Sequence, residues 1–324
     1  MTLRTSTAWS IAALVLAATT PMAAQAQSYP EKAITVVVPY SPGGGVDIIT
    51  RLITPSMAQD LGQTMVVDNR PGGGTNIGMS TVARSAADGY TLLTSSNTLT
   101  TNKALYSKLN FDPLPDLIPV GRIGEAPLVV VVNAKSPYQT LDELVTAGKS
   151  KPDALSFGTA GVGSSGHMAS ELLIREGNFK AVHIPYKGGS AAVTDLLGGR
   201  LDFMTINPLE VVSHVNNGSL RALAMLNKKG SHLLPEVKTA EALGYDVQAT
   251  VWWGLNVPKG TPEAIINTLN KALNTALSTA EVRSKLSDIG ASPVGGTSAE
   301  FAQFIQKEAT ALSEVVKAAN IKAD

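Results

Sequence analysis

The sequence contains no cysteine. That excludes disulfides, a thiolate metal site and a cysteine nucleophile. It also has no net formal charge. A nucleic-acid binder would carry a basic surface, so nucleic acid is not an expected partner. Only four histidines occur, His167, His183, His214 and His232, and none sits in an H-E-x-x-H or comparable ligand spacing. The phosphate loop G-x-x-x-x-G-K-[ST] is missing, and so is the G-x-S-x-G nucleophile elbow. No metal, cofactor or catalytic group is expected. No low-complexity tract and no strong internal repeat is present.

What is there begins with a leader. Arg4 supplies a positive start, "IAALVLAA" (11–18) an apolar stretch, and "AQA" (24–26) a small-residue cleavage site. The apolar stretch is well short of the ~20 residues that cross a bilayer. Export with cleavage near Ala26 is expected, giving a mature chain in the periplasm that starts near Gln27. Removing Arg4 takes the 26 basic residues to 25 and the net charge to −1.

Beyond the leader, strand-like and helix-like segments alternate. "AITVVVPY" (33–40) reads as a parallel strand buried on both faces. "VDIITRLITPSMAQDLG" follows, with Val46, Ile49, Ile53 and Met57 at helical spacing and Pro55 as a bend or stop. Further strands are read at 64–69, 90–96, 127–136, 155–160, 181–186, 201–206 and 219–226, with helices between most of them. Near the end, Thr261 and Pro262 read as N-cap and first helical residue, and Thr297-x-x-Glu300 as a capping box. Repeated βα units imply doubly wound α/β architecture. The chain length accommodates two such lobes with a cleft between them. The expected division is 27–127 plus 253–324 for the first lobe and 128–252 for the second.

Two loops share one design. "ITVVVPYSPGGGVDIITRL" and "LSFGTAGVGSSGHMASELL" are each strand, glycine-rich turn and helix, one in each lobe. Ligands of open α/β sheets bind beyond the carboxyl ends of the strands. There the first helical N–H groups lack internal partners and carry the positive end of the dipole. Glycine lets the backbone come close to a ligand. The product is an anion site made of amides and hydroxyls, without lysine or arginine. The candidates are Tyr40, Ser41, Gly43 and Gly44 in the first loop and Thr159, Ala160, Gly161, Gly163, Ser164 and Ser165 in the second. A carboxylate is the expected guest. Asn97 and Thr98, after the third strand, are further hydrogen-bonding candidates. Asn76 is read as a helix cap. His167 either touches ligand or steadies its loop, and Lys187 either meets an anion or lies solvated at the rim.

G-V-G-S-S-G (161–166) also matches the dinucleotide fingerprint. That motif needs an acid about 20 residues on, at the end of the next strand. Here that strand ends in Lys187, while Glu176 comes too early and Asp195 too late. Dinucleotide binding is therefore not expected.

Five stretches, "YPEKAITVVVPYSPGGGVDIITRLI", "LGQTMVVDNRPGGGTNIG", "LSFGTAGVGSSGHMASELL", "HIPYKGGSAAVTDLLGGRLDFM" and "VWWGLNVPKGTPEAII", closely resemble the tripartite tricarboxylate transporter receptors, the Bug or TctC-like solute-binding proteins. The resemblance covers nearly the whole mature chain. It implies a two-lobed periplasmic binding protein fold of type II-like design that closes on an organic acid and hands it to a membrane permease. It implies that the two glycine-rich loops grip a carboxylate, partly through water, and that Asn97, His167 and Lys187 belong to the pocket. A monomer is expected. In one place the chain departs from the pattern. Many members carry Asp-Asn after the strand matching "LDFMTI", and here the pair is Ile206-Asn207. Loss of that acid argues against an ammonium-bearing ligand and for a dicarboxylate or an aromatic carboxylate. A sensory receptor presenting its ligand to a membrane kinase is the alternative, with an exported hydrolase using Ser164 or Ser165 as a third reading.

Overall fold

The computed structural model describes residues 29–151, 154–318 and 321–323. The leader lies outside them. The first part of the chain runs β1 (Ile34–Val38), α1 (Gly45–Leu61), β2 (Met65–Asn69), α2 (Asn76–Ala83), β3 (Thr91–Ser95), α3 (Thr98–Leu105), α4 (Pro113–Asp116) and β4 (Leu117–Pro127). A second series follows: β5 (Val129–Asn133), α5 (Leu141–Ser150), β6 (Ser156–Thr159), α6 (Ser165–Gly177), β7 (Val182–Pro185), α7 (Gly189–Leu197), β8 (Phe203–Ile206), α8 (Val212–Asn216) and β9 (Leu220–Met225). The chain then returns with β10 (Thr250–Pro258), α9 (Glu263–Ser278), α10 (Ala280–Asp288), β11 (Ser292–Gly295) and α11 (Ser298–Ala318).

Two sheets result, with the orders β11-β4-β10-β3-β1-β2 and β7-β6-β8-β5-β9. Each has a parallel trio, with β1 between β2 and β3 in one and β6 between β7 and β8 in the other. Each trio is extended on one side by antiparallel strands, β10 then β4 in the first sheet and β5 then β9 in the second. The sheets are mixed rather than wholly parallel. β1 and β6 hold the same position in each, so the two glycine-rich loops leave equivalent strand ends.

The strand sequences explain this placement. Val36 and Val38 of β1 join one apolar cluster with Ile49 and Ile53 of α1 and Leu269 and Leu273 of α9. Val37 points the other way, into a cluster with Met79, Leu99, Trp252 and Phe301. A strand covered by helices on both faces reads as a nearly continuous apolar run. The neighbouring tryptophans Trp252 and Trp253 of β10 divide between the same two faces. Phe301 of α11 lies over Gly254, where an added Cβ would come within 2.1 Å of the ring. In the second sheet Val130 and Val132 share the cluster of α5 and α6, while Val129 and Val131 face α7.

Three local readings change. α1 runs through Pro55 without interruption. α9 has Pro262 as its N-cap, one residue later than expected, and the Thr261 hydroxyl donates to Pro258 O instead. Asn76 is the first residue of α2 and does not cap it; its Oδ1 accepts from Asn102 Nδ2. The Thr297–Glu300 capping box forms in both directions.

At the crossings between sheets, three segments are tied together. Leu226 N–H donates to Leu128 O at 2.7 Å, Leu128 N–H to Ala249 O at 3.3 Å, and Ala249 N–H to Leu226 O at 2.9 Å. Among the described residues, no helix is long and apolar enough to cross a membrane.

Candidate ligand site between the two sheets

The first loop is shaped by its own helix. Gly43 takes φ 77°, and its N–H donates to Asp47 Oδ2 in the first turn of α1. Burial pushes the Asp47 carboxyl up, but hydrogen bonds from Arg51, Gly43 and Asn69 outweigh it and hold the carboxyl below its ordinary range. Tyr40 is buried, its hydroxyl 3.0 Å from Thr98 Oγ1, and burial raises its pKa to about 12. Thr98 thus supports Tyr40 from the start of α3.

The second loop is braced from beneath by two imidazoles. Gly163 N–H donates to His167 Nδ1 at 3.1 Å, so that nitrogen carries no proton. His183 Nε2 lies 2.7 Å from Thr159 Oγ1, which also accepts from Gly161 N–H. The His183 ring is pushed down from 6.5 to about 3 by burial and by its neighbour His167. Ser164 is the N-cap of α6, its Oγ accepting from His167 N–H. His167 therefore sits under the loop as its support.

Each loop touches the other half of the molecule: the first meets the segment after β7, and the second meets α3. Ser41 N–H and Oγ both donate to Lys187 O, at 3.0 and 3.1 Å. Ser190 Oγ donates to Pro42 O, and Thr101 Oγ1 donates to Gly163 O. Leu105, Met168 and Val316 add an apolar contact between the two halves.

Two cavities remain between these contacts. The smaller, about 40 Å³, is lined by Tyr40, Gly44, Gly45, Ala160, Ser164 and Ser165, and also by Gly189, Asn207 and Glu210. It lies at the N-termini of three helices, α1, α6 and α7, and among the described residues no lysine or arginine lines it. The larger, about 170 Å³, shares Tyr40 and Ala160 and adds Gly161, Tyr106, Tyr186 and Lys187. The structure thus gathers Tyr40, Gly44, Ala160, Ser164, Ser165 and Asn207 at one point, with Gly161 and Lys187 next door. Gly43 points outward, Ser41 is spent on the Lys187 carbonyl, and Gly163 packs against Thr101 and Leu105. Asn97 is turned to β10, its Nδ2 donating to Thr250 O and its Oδ1 accepting from Trp252 N–H.

Sequence reasoning missed Glu210. It closes the 3-10 turn Pro208–Glu210 after β8, and its carboxylate folds back to the start of α1. Oε1 accepts from Asn207 Nδ2 at 2.7 Å, and the Gly45 N–H also donates to the carboxylate. Burial pushes its pKa from 4.5 up to about 7, against those two hydrogen bonds. Glu210 thus sets a carboxyl beside Asn207, four residues after position 206.

Residues 49–321 match the tripartite tricarboxylate transporter family receptor, TctC. The chain belongs to that family. It is 38% identical to protein BugT of Bordetella pertussis over 300 residues, 92% of each chain. Its fold is similar to that of MatC from Rhodopseudomonas palustris with bound malate (TM-score 0.84, 32% identity, covering 89% of this chain and 100% of the other). It is also similar to a second R. palustris protein, solved with adipate (TM-score 0.87, 30% identity, 91% and 99% covered). The mixed α/β architecture with two sheets is that of the TctC-type periplasmic binding proteins.

Proposed function

We propose that this receptor takes an organic carboxylate between its two lobes and delivers it to the membrane permease of a tripartite tricarboxylate-type transporter. The convergence of three helix N-termini on one cavity carries the reading. Amides at helix starts stabilise a carboxylate without a basic side chain. Lys187, in the adjoining cavity with Tyr106 and Tyr186, is placed for a second carboxylate or an aromatic ring. This supports a dicarboxylate or an aromatic acid, as do the malate and adipate bound by two relatives. The leader pattern and the family support a periplasmic location for the mature protein. The lobes divide at 127/128 and again just before β10, and the protein acts as a monomer. Against the hydrolase reading, the Ser164 hydroxyl serves as a helix cap, and both nearby imidazoles are engaged elsewhere.

Ligand contacts reaching both loops favour the closed arrangement, and only contacts that differ between open and closed states do so. The test is a thermal-shift screen of the mature chain against mono-, di- and tricarboxylates, with phosphate and NAD as controls. A ligand that binds the folded state raises the midpoint by mass action. Shifts with one class of acid and none with phosphate or NAD are expected. A shift with phosphate alone would overturn the reading.

A further inference from the structure

Thr75 holds a backbone that its side chain disfavours. Its φ is 77°, in the left-handed region that a β-branched residue rarely occupies, and it is buried. Gly72, Gly73 and Gly74 before it also have positive φ, so the turn after β2 winds left-handed over four residues. All four line the larger cavity, to which the other lobe contributes Ala160, Gly161 and Val162. One side chain fixes this turn. Asn102 of α3 is fully buried, and its Nδ2 donates to Gly74 O and to Asn76 Oδ1, both at 2.8 Å, on either side of Thr75. Thr101, the residue before it, reaches the other wall, its Oγ1 donating to Gly163 O at 2.9 Å. Two successive residues of α3 thus hold the two sides of one cavity.

A strained turn persists only where its surroundings over-determine it. The two Asn102 hydrogen bonds do that here, while Asn102 itself does not line the cavity. Without them Thr75 would relax toward negative φ, and the Gly72–Gly74 backbone would move with it. We infer that Asn102 is a positioning residue: by holding Gly72–Thr75 left-handed it shapes one wall of the larger cavity, and so sets which ligand lengths and shapes the receptor accepts. This rests on the carboxylate-receptor reading above and adds the element that selects among acids. The first carboxylate sits at the helix N-termini in the smaller cavity, which this turn does not line. The rest of the ligand extends into the larger cavity and meets the turn there.

Titration calorimetry on the mature protein tests it, with dicarboxylates of four to eight carbons, benzoate, phthalate and terephthalate. The wild type should rank these acids. Asn102→Ala should compress the spread between the best and the poorest binder by about tenfold, the scale of one or two neutral hydrogen bonds. Asn102→Asp keeps the shape of the side chain but gives up both N–H donors, and should do the same. Thr75→Gly removes the strain, because glycine takes positive φ freely. Alone it should preserve the wild-type ranking, and combined with Asn102→Ala it should restore most of the lost spread. An asparagine with a merely structural role would lower every affinity by one common factor. That result overturns the inference and leaves the carboxylate receptor standing, and so does a Thr75→Gly change that restores nothing. If the wild type binds none of these acids, the receptor reading itself fails and takes this inference with it.

Discussion

The imidazoles of His167 and His183 lie face to face, with ring centroids 3.8 Å apart and planes 12° from parallel. Phe157 lies beside the pair, nearly parallel to both rings, 4.9 Å from His183 and 6.2 Å from His167. This cluster stands under the second glycine-rich loop, to which His167 and His183 are hydrogen-bonded, so the loop's shape depends on it.

Acid should therefore loosen the site. The His183 pKa is depressed in the folded protein, so the unfolded chain binds the extra proton first. The stability linked to this group is complete above about pH 6.5 and is lost as the pH falls toward 3, at roughly 1.4 kcal/mol per pH unit. Urea unfolding at pH 4 to 7, taken as the difference between wild type and His183→Phe, should show this slope. Phenylalanine preserves the stack and does not titrate. A difference that stays flat with pH would show that His183 is not held neutral.

Glu210 works in the opposite sense. Its pKa is raised by burial, so the cost of its charge is absent below about pH 4.5 and complete above about pH 7. Glu210→Gln should match wild-type stability near pH 4 and exceed it by roughly 2–3 kcal/mol at pH 8. Tyr40 is the other titrating group that feels this carboxylate, and its hydroxyl stays protonated throughout that range. Equal stability at both pH values would mean that the carboxylate is solvated.

The two glycine-rich loops should differ in their tolerance of substitution. Gly163 has φ 78°, and a Cβ there would lie 2.6 Å from Leu105 Cδ1 and 2.7 Å from Thr101 Oγ1. Gly163→Val should cost about 1–3 kcal/mol through backbone strain and overpacking, and should weaken ligand binding by pushing the loop away from α3. Ser165→Ala should leave the melting temperature nearly unchanged and reduce affinity about tenfold or less. Melting curves and calorimetry on both variants separate the two effects. A Gly163→Val protein with native affinity would remove this loop from the site.

Gly254 and Phe301 should behave as one unit. Gly254→Ala should destabilise by about 1–3 kcal/mol, because its methyl group meets the Phe301 ring. In a Phe301→Leu background the same change should cost less, and a double-mutant cycle measures the coupling. Additive effects would show that the ring can move aside.

Much of this fold can be read in the chain, for physical reasons. β1 stands out because Val36, Val37 and Val38 all face apolar clusters, leaving no polar position to blur the run. β4 does not, because Pro119, Gly121 and Gly124 interrupt it. Its strand character comes from pairing along β10, a partner more than a hundred residues away. The same distinction separates the site residues. Ser164 and Gly44 follow from local strand-turn-helix chemistry. Glu210 does not, since its role arises only when a short turn brings it back onto the start of α1. The local clue was a lone acid between Leu209 and Val211, where an apolar residue would be the cheaper choice.

The mutual hydrogen bonds of Leu128, Leu226 and Ala249 have a mechanical consequence. Strands tied side by side resist sliding along one another but bend readily about the line they share. The two halves are thus coupled like the covers of a book. A turn about that spine would move Ser41 and Lys187 apart without shifting either loop within its own sheet.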